Sequence, residues 1–193
     1  MATDLHALRQ AIKAKRAQLS PEQQNHAAQN LAIRIHQEKC FQQAQHIGVY
    51  YPFAGEISLL NLVEQYRTQD ANNPAQKQFY FPLITAEQMV FVRVNADSQW
   101  QTNRFGILEP RSNEVVSAKD LDLVFCPLVA FDHQHNRIGQ GGGYYDRFFS
   151  YKTTEPQTKP KLIGVAYDFQ AVDAIQSEPW DIPMDDIFSE GID

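Results

Sequence analysis

Leu121-Asp122-Leu123-Val124-Phe125-Cys126-Pro127, a run dense in apolar residues, is followed shortly by Asn136-Arg137-Ile138-Gly139-Gln140-Gly141-Gly142-Gly143-Tyr144-Tyr145-Asp146-Arg147. The first segment reads as a buried strand. In the second, Tyr144/Phe148 and Tyr145/Phe149 recur at helical spacing directly after the glycines. The order is therefore strand, glycine loop, helix, which restricts the chain to folds in which a loop leaves a sheet and enters a helix. Glycines let the backbone approach an anion, and a helix N-terminus offers free N–H groups and the positive end of its dipole.

Two familiar glycine fingerprints fail on spacing. Tyr144 stands where a dinucleotide-binding pattern begun at Gly139 needs its third glycine, and no Gly-Lys-Ser/Thr closes a Walker-type loop. A turn that only requires positive φ angles accounts for the glycines alone. The flanking Arg137, Asp146 and Arg147 point further, because a metal-nucleotide site needs cations for phosphate and a carboxylate for magnesium.

With 193 residues, the chain can build one substantial core, so a single domain over 1–193 is expected. A net charge of −6 and a pI near 5.5 argue against a nucleic-acid partner. The densest basic group, Arg9, Lys13, Lys15 and Arg16, reads as the solvated face of a first helix. No apolar run is long enough to span a membrane, and the opening residues lack a signal pattern, so a cytoplasmic protein is expected. Cys40 and Cys126 lack partners in sequence and are expected to be free, buried thiols.

Leu5, Leu8 and Ile12 place a helix over about Asp4 to Leu19, capped by Asp4 or Thr3. Ser20-Pro21-Glu22-Gln23 opens a second, with Ala27, Ala28, Leu31 and Ile35 as its buried stripe. Alternation predicts a strand from His46 to Tyr51, and Leu59, Leu62, Val63 and Tyr66 mark a third helix. A polar connection through Asp70 to Pro74 leads to strands at Gln78–Ile84 and Met89–Val94. Ser98 to Glu114 reads as an irregular aromatic loop over a pocket, and Lys161–Tyr167 as a last strand. Strands alternating with helices predict an α/β layered sheet.

Ala130-Phe131-Asp132, Arg137-Ile138-Gly139 and Gly141-Gly142-Gly143-Tyr144-Tyr145-Asp146 occur in this order, together with Phe105-Gly106-Ile107-Leu108-Glu109-Pro110 and Asp181-Ile182-Pro183-Met184-Asp185. In these segments the chain resembles the 5-formyltetrahydrofolate cyclo-ligase family over nearly its whole length. Tyr50 to Glu56, Lys77 and Pro82 add weaker support. The resemblance implies a single layered α/β/α domain with a mostly parallel, Rossmann-like open sheet between helices, and ATP- and magnesium-dependent closure of 5-formyltetrahydrofolate to 5,10-methenyltetrahydrofolate.

On residues, it implies catalytic roles for Arg137, Tyr144 and Glu56. ATP would meet Leu5, Arg9, Arg137, Ile138, Gly139, Gln140, Gly141, Gly142, Gly143, Tyr144 and Tyr145. The reduced folate would lie against Tyr51, Glu56, Phe105 and Tyr145. Asp146 is the first choice of magnesium ligand and Asp181 the second. Each has a plainer reading: Tyr51 in the core, Glu56 as a loop carboxylate, Asp181 as a cap. The only partners expected are these small molecules, for a monomer or weak homodimer.

The chain departs from the family where Leu5 replaces a lysine that reaches the ATP phosphates, where Leu83 replaces a basic residue, and where Leu128 and His135 replace glycines. A folate- or nucleotide-binding relative with weak or no ligase activity is the alternative. A nucleotide-dependent enzyme on a dinucleotide fold is a third reading.

Overall fold

A computed structural model describes residues 4–67, 76–85, 88–112 and 114–191. Helix α1 (Leu5–Ala17) begins where Asp4 accepts the N–H groups of His6 and Ala7. Helix α2 (Pro21–Gln37) opens on the expected capping box of Ser20 and Gln23, with Pro21 in its first turn. A short helix, α3 (Lys39–Gln43), which the sequence did not signal, leads into strand β1 (His46–Gly48). Helix α4 (Leu60–Arg67) carries the chain across to β2 (Gln78–Ile84), and β3 (Met89–Val94) returns antiparallel to it. The expected 70–74 connection lies outside the described residues.

The segment expected to be irregular is instead a hairpin of β4 (Gln99–Thr102) and β5 (Leu108–Arg111), with Trp100 opposite Pro110. Trp100 packs edge-on to Phe81 at 5.1 Å and tilted against Tyr51 at 5.8 Å. After β6 (Val115–Val116) come β7 (Leu123–Pro127) and a small hairpin of β8 (Ala130–Phe131) and β9 (Arg137–Ile138). In its turn, Asp132 accepts from Gln134 and Asn136, and His135 takes φ +63°. That left-handed angle falls at the position where the resemblance has a glycine. Helix α5 (Tyr144–Phe148), strand β10 (Lys161–Ala166) and a strand absent from the sequence reading, β11 (Asp186–Ser189), complete the chain.

Seven strands form one sheet in the order β11-β10-β7-β1-β2-β3-β6. The five from β11 to β2 run parallel, and β3 and β6 add antiparallel strands at one edge. The sheet is therefore mostly parallel, as expected. Leu123 and Phe125 face α2, α3 and α4 together with Ile47, Phe79, Ile163 and Phe188. Val124 and Cys126 face the other way, under Phe149, Ile182 and Met184. Burial on both faces explains why β7 is apolar without alternation. The second cover is thin: α5, one 3-10 turn at Ser150–Thr153, and the chain around Ile182.

The two cysteines are free; Cys40 is only half-buried, not buried as expected, whereas burial pushes the Cys126 thiol up to about 12. No helix among the described residues is long and apolar enough to cross a membrane.

The amino ends of the parallel strands are tied off by saturated polar groups. Asp122 accepts from the Gln45 and His46 N–H groups, each at 2.9 Å, and from Lys159 at 2.6 Å. Lys77 donates to the Phe41, Gln42 and Ala44 carbonyls. At the other end, β1 has β2 on one side and β7 on the other. The chain therefore diverges between β1 and β7, and a crevice opens beyond their carboxyl ends. The predicted strand through Tyr51 stops at Gly48; Val49 donates to Tyr80, and Tyr50 and Tyr51 then turn into that crevice.

Candidate active site

The crevice is a cavity of about 1050 Å³ lined by every residue that the sequence assigned to a site, from Leu5, Arg9, Tyr51, Glu56 and Phe105 to the loop Arg137–Asp146 and Asp181. One ligand commonly takes roughly 300–1,000 Å³.

The glycine loop forms its floor. Gly141 at φ +101° and Gly143 at φ +61° hold left-handed conformations that a side chain resists, and Gly143 caps α5. The helix it opens has only five residues, so its dipole is weaker than the sequence reading assumed, and backbone N–H groups and side-chain cations must carry anion binding. A Cβ on Gly142 would lie 2.9 Å from the Tyr144 ring. It would therefore displace that ring instead of filling open space over the loop. Tyr144 is placed by an Arg104 hydrogen bond of 3.0 Å to its hydroxyl and by the Arg147 guanidinium 5.0 Å from its ring centre.

Helix α1 meets this loop directly. Arg9 Nε donates to the Gly139 carbonyl at 2.9 Å, and Leu5, Arg9 and Lys13, one turn apart on a single stripe, all line the cavity. The basic group read as a solvated face is one only in part: Lys15 is exposed, over Phe169, whereas Arg9 holds the loop, Lys13 faces the cavity and Arg16 is buried. Leu5 is 38% exposed and stands apart from the buried stripe assigned to it with Leu8 and Ile12. Ile138 lines the cavity while packing on Ile12, which anchors the loop to α1.

Arg137 and Asp146 form an ion pair of 2.6 Å, with Arg137 only 5% exposed. Asp146 also accepts from the Ile182 N–H, and Asp181 accepts from the Glu178 N–H. Both carboxylates face the same cavity, and no third His, Cys, Asp or Glu joins them into a cluster among the described residues.

Glu56 projects from the turn after Tyr51. Its carboxylate accepts from the Phe53 N–H at 3.1 Å and from Gln140 at 3.0 Å, and Arg16 Nη1 lies 3.9 Å away. Burial pushes its carboxyl above the ordinary range, against the pull of Gln140, Arg16, the Phe53 N–H and Lys13. Beyond it the wall turns apolar and aromatic, with Tyr51, Ile84, Met89, Phe105 and Ile107. The Tyr145 hydroxyl is buried without a partner, and burial drives its pKa far upward. Trp180 at 66% and Phe105 at 44% exposure stand at the rim.

Sequence reasoning missed Arg16, Arg104 and Trp180 as site residues and set Lys13 on a solvated face. For Lys13 a signal existed, the four-residue step from Leu5 through Arg9 on one helical stripe.

The fold and the cleft define an open-sheet α/β enzyme whose ligands enter at the point where the strand order diverges. The chain belongs to the 5-formyltetrahydrofolate cyclo-ligase family, which it matches over residues 2–190. It is 35% identical over 189 residues to the 5-formyltetrahydrofolate cyclo-ligase of Haemophilus influenzae, covering 93% of this chain and 94% of that one. The Escherichia coli enzyme of the same name is 33% identical over 178 residues, covering 90% and 93%. Among solved structures, the NMR structure of Aquifex aeolicus 5,10-methenyltetrahydrofolate synthetase superposes with a TM-score of 0.80 at 28% identity, covering 96% of this chain and 89% of that one. A synthetase of that name from Mycoplasma pneumoniae shares the fold, with a TM-score of 0.75 at 23% identity over 98% and 100% of the two chains.

Proposed function

We propose that the chain uses ATP to cyclise 5-formyltetrahydrofolate to 5,10-methenyltetrahydrofolate, releasing ADP and phosphate, as one catalytic domain acting in the cytoplasm as a monomer or weak homodimer. The observation that carries the reading is one cavity with two chemically distinct halves. A glycine loop with Arg9, Lys13 and Arg137 suits a triphosphate, and a flat apolar wall of Tyr51, Phe105 and Tyr145 suits a pteridine. Glu56 lines the same cavity and accepts from Gln140 of the loop.

A formamide oxygen is a poor leaving group. Transfer of the γ-phosphoryl to the formyl oxygen breaks the β–γ bridge and makes that oxygen part of a phosphate ester. Nitrogen 10 then attacks the activated carbon and loses its proton, and phosphate departs with the former formyl oxygen. Such a sequence needs positioning and charge neutralisation more than covalent catalysis. Arg9 and Arg137 supply fixed positive charge around the phosphates, Tyr144 orients the transferred group, and Glu56 accepts the proton from nitrogen 10.

The residues fit a magnesium ion. Asp146 and Asp181 share one wall, and magnesium commonly takes one or two carboxylates with phosphate oxygens and water. Bound there, the ion would neutralise phosphate charge, and Arg137 would exchange Asp146 for a phosphate oxygen.

The alternative, a folate- or nucleotide-binding relative with weak or no ligase activity, rests on the departures at Leu5, Leu83, Leu128 and His135. The test is to mix the protein with 5-formyltetrahydrofolate, ATP and magnesium and follow the near-ultraviolet absorbance of the methenyl product. One ATP consumed per product is expected. Equal conversion without ATP, or binding of both ligands with no product, rejects the ligase reading.

A further inference from the structure

Behind the cavity wall lies a charge that the chemistry above does not use. Arg16 is 1% exposed, does not line the cavity, and donates through Nη2 to the Leu128 carbonyl. Its Nε and Nη1 have no hydrogen-bond partner, and Nη1 stands 3.9 Å from Glu56 Oε1. Two other cations of the chain donate to several carbonyls each. Half-buried Lys77 meets three, and buried Lys152 meets those of Thr158 and Pro160, with the Asp185 carboxylate 3.9 Å away. Arg16 meets one, and its unpaired edge is turned toward a carboxylate. Leaving donors unpaired in the interior is costly, and stability alone gives no reason to retain them.

The groups facing Glu56 are Arg16 and Lys13 from α1, Tyr50 after β1, Tyr145 from α5 and Tyr167 after β10. The three phenols remain neutral, so Arg16 and Lys13 are the cations, and Lys13 stands on the cavity side. We propose that Arg16 is a positioning residue for the cyclisation: from the face of Glu56 turned away from the cavity, it keeps that carboxylate ionised and fixed while the other face receives the substrate. The inference rests on reading Glu56 as the acceptor of the proton from nitrogen 10.

Arg16→Met and Arg16→Lys test it by two routes. The first is titration of the Glu56 carboxyl in the free protein, by isotope-edited infrared or carbon NMR, with the signal assigned by its loss in Glu56→Gln. The second is the pH profile of kcat. Removing a cation at this range is expected to raise the Glu56 midpoint by about one unit or more. The acid limb of kcat should move with it, and KM for ATP should stay within about twofold. Arg16→Lys should move both in the same direction by less, because one ammonium cannot serve Leu128 and Glu56 together; it carries the test if Arg16→Met does not fold. An unmoved midpoint in a folded variant overturns the proposal. So does a moved midpoint with kcat unchanged at every pH, which would confine Arg16 to stability. Absence of methenyl product in the unsubstituted protein would instead reject the proposed reaction, with the carboxyl titration still reporting whether Arg16 sets Glu56.

Discussion

The two ends of the parallel sheet treat polar groups in opposite ways. At the amino ends, Asp122, Lys77 and Lys152 have their donors and acceptors engaged by backbone or by each other's neighbours. At the carboxyl ends lie Arg16, Arg137, Tyr145 and Tyr167, and every buried side-chain nitrogen or oxygen left without a partner among the described residues belongs to one of these four. Buried polar atoms are ordinarily satisfied, so these exceptions, Arg137 and Tyr145 lining the cavity and Arg16 and Tyr167 outside its lining, mark the end of the sheet that stability alone does not explain. One end is built to hold the strands together. The other is left incomplete beside the cavity.

The sharpest break of this contrast uses one carboxylate from each end. Asp146 faces the cavity beside Arg137, whereas Asp185 accepts from the Leu162 N–H at 2.7 Å and lies 3.9 Å from Lys152. Asp146→Asn is expected to lower kcat/KM by about 100-fold or more, since it removes charge at the proposed metal and leaves Arg137 unpaired. Asp185→Asn should change kcat/KM by less than about threefold while lowering the melting temperature. Comparable kinetic losses in the two variants, at matched folding, would remove Asp146 from the metal site.

A smaller effect separates the ends by pH. Burial alone would raise Asp122, but the N–H groups of His46 and Gln45 and the Lys159 ammonium outweigh it and hold it down from 3.8 to about 2. Because its folded value is depressed, the stability it contributes is present above 3.8 and is lost as pH falls through about 2. Glu56 runs the other way: burial raises it, so its stabilising form is the protonated one, and stability declines as pH rises from 4.5 through its folded value. Asp122→Asn should cost about 1.5–3 kcal/mol at neutral pH, a few degrees in Tm, and flatten the acid fall in Tm with kcat unchanged. Glu56→Gln should remove the decline above pH 4.5 and abolish turnover. An acid fall of the same depth in Asp122→Asn would show that other carboxylates control that end.

The difference between the ends also governs what the sequence discloses. The caps of α1 and α2, the strands β2 and β3 and the glycine loop are legible because their signals are local: Asp4, Ser20 and Gln23, alternating apolar residues, clustered glycines. The β4–β5 hairpin is hidden because Pro110 in a four-residue strand reads as a loop. Strand β11 begins on an aspartate and forms an edge of the sheet, so it lacks the apolar run that marks β7. Arg9 and the loop are recoverable through the family resemblance. Arg16 is not, since an arginine on an amphipathic helix looks solvated until the fold brings Glu56 against it.

The smallest expected effect bears on how far α1 reaches into the site. Leu5 is 38% exposed and lines the cavity one turn before Arg9. A lysine there forfeits little burial, and the two residues have similar helix propensity, so Leu5→Lys should leave the melting temperature within about a degree. A charge-assisted contact to phosphate is worth about 1.5–3 kcal/mol when well formed and less when screened. About 1.4 kcal/mol is a factor of ten, so ATP affinity should tighten roughly tenfold. Lys13, on the same stripe, competes for the role. In a Lys13→Met background the gain from Leu5→Lys should therefore be larger than in the unsubstituted chain. Unchanged affinity in both backgrounds would mean that the stripe from Leu5 to Lys13 shapes the cavity without touching the nucleotide, and that Arg9 serves only to hold the Gly139 carbonyl.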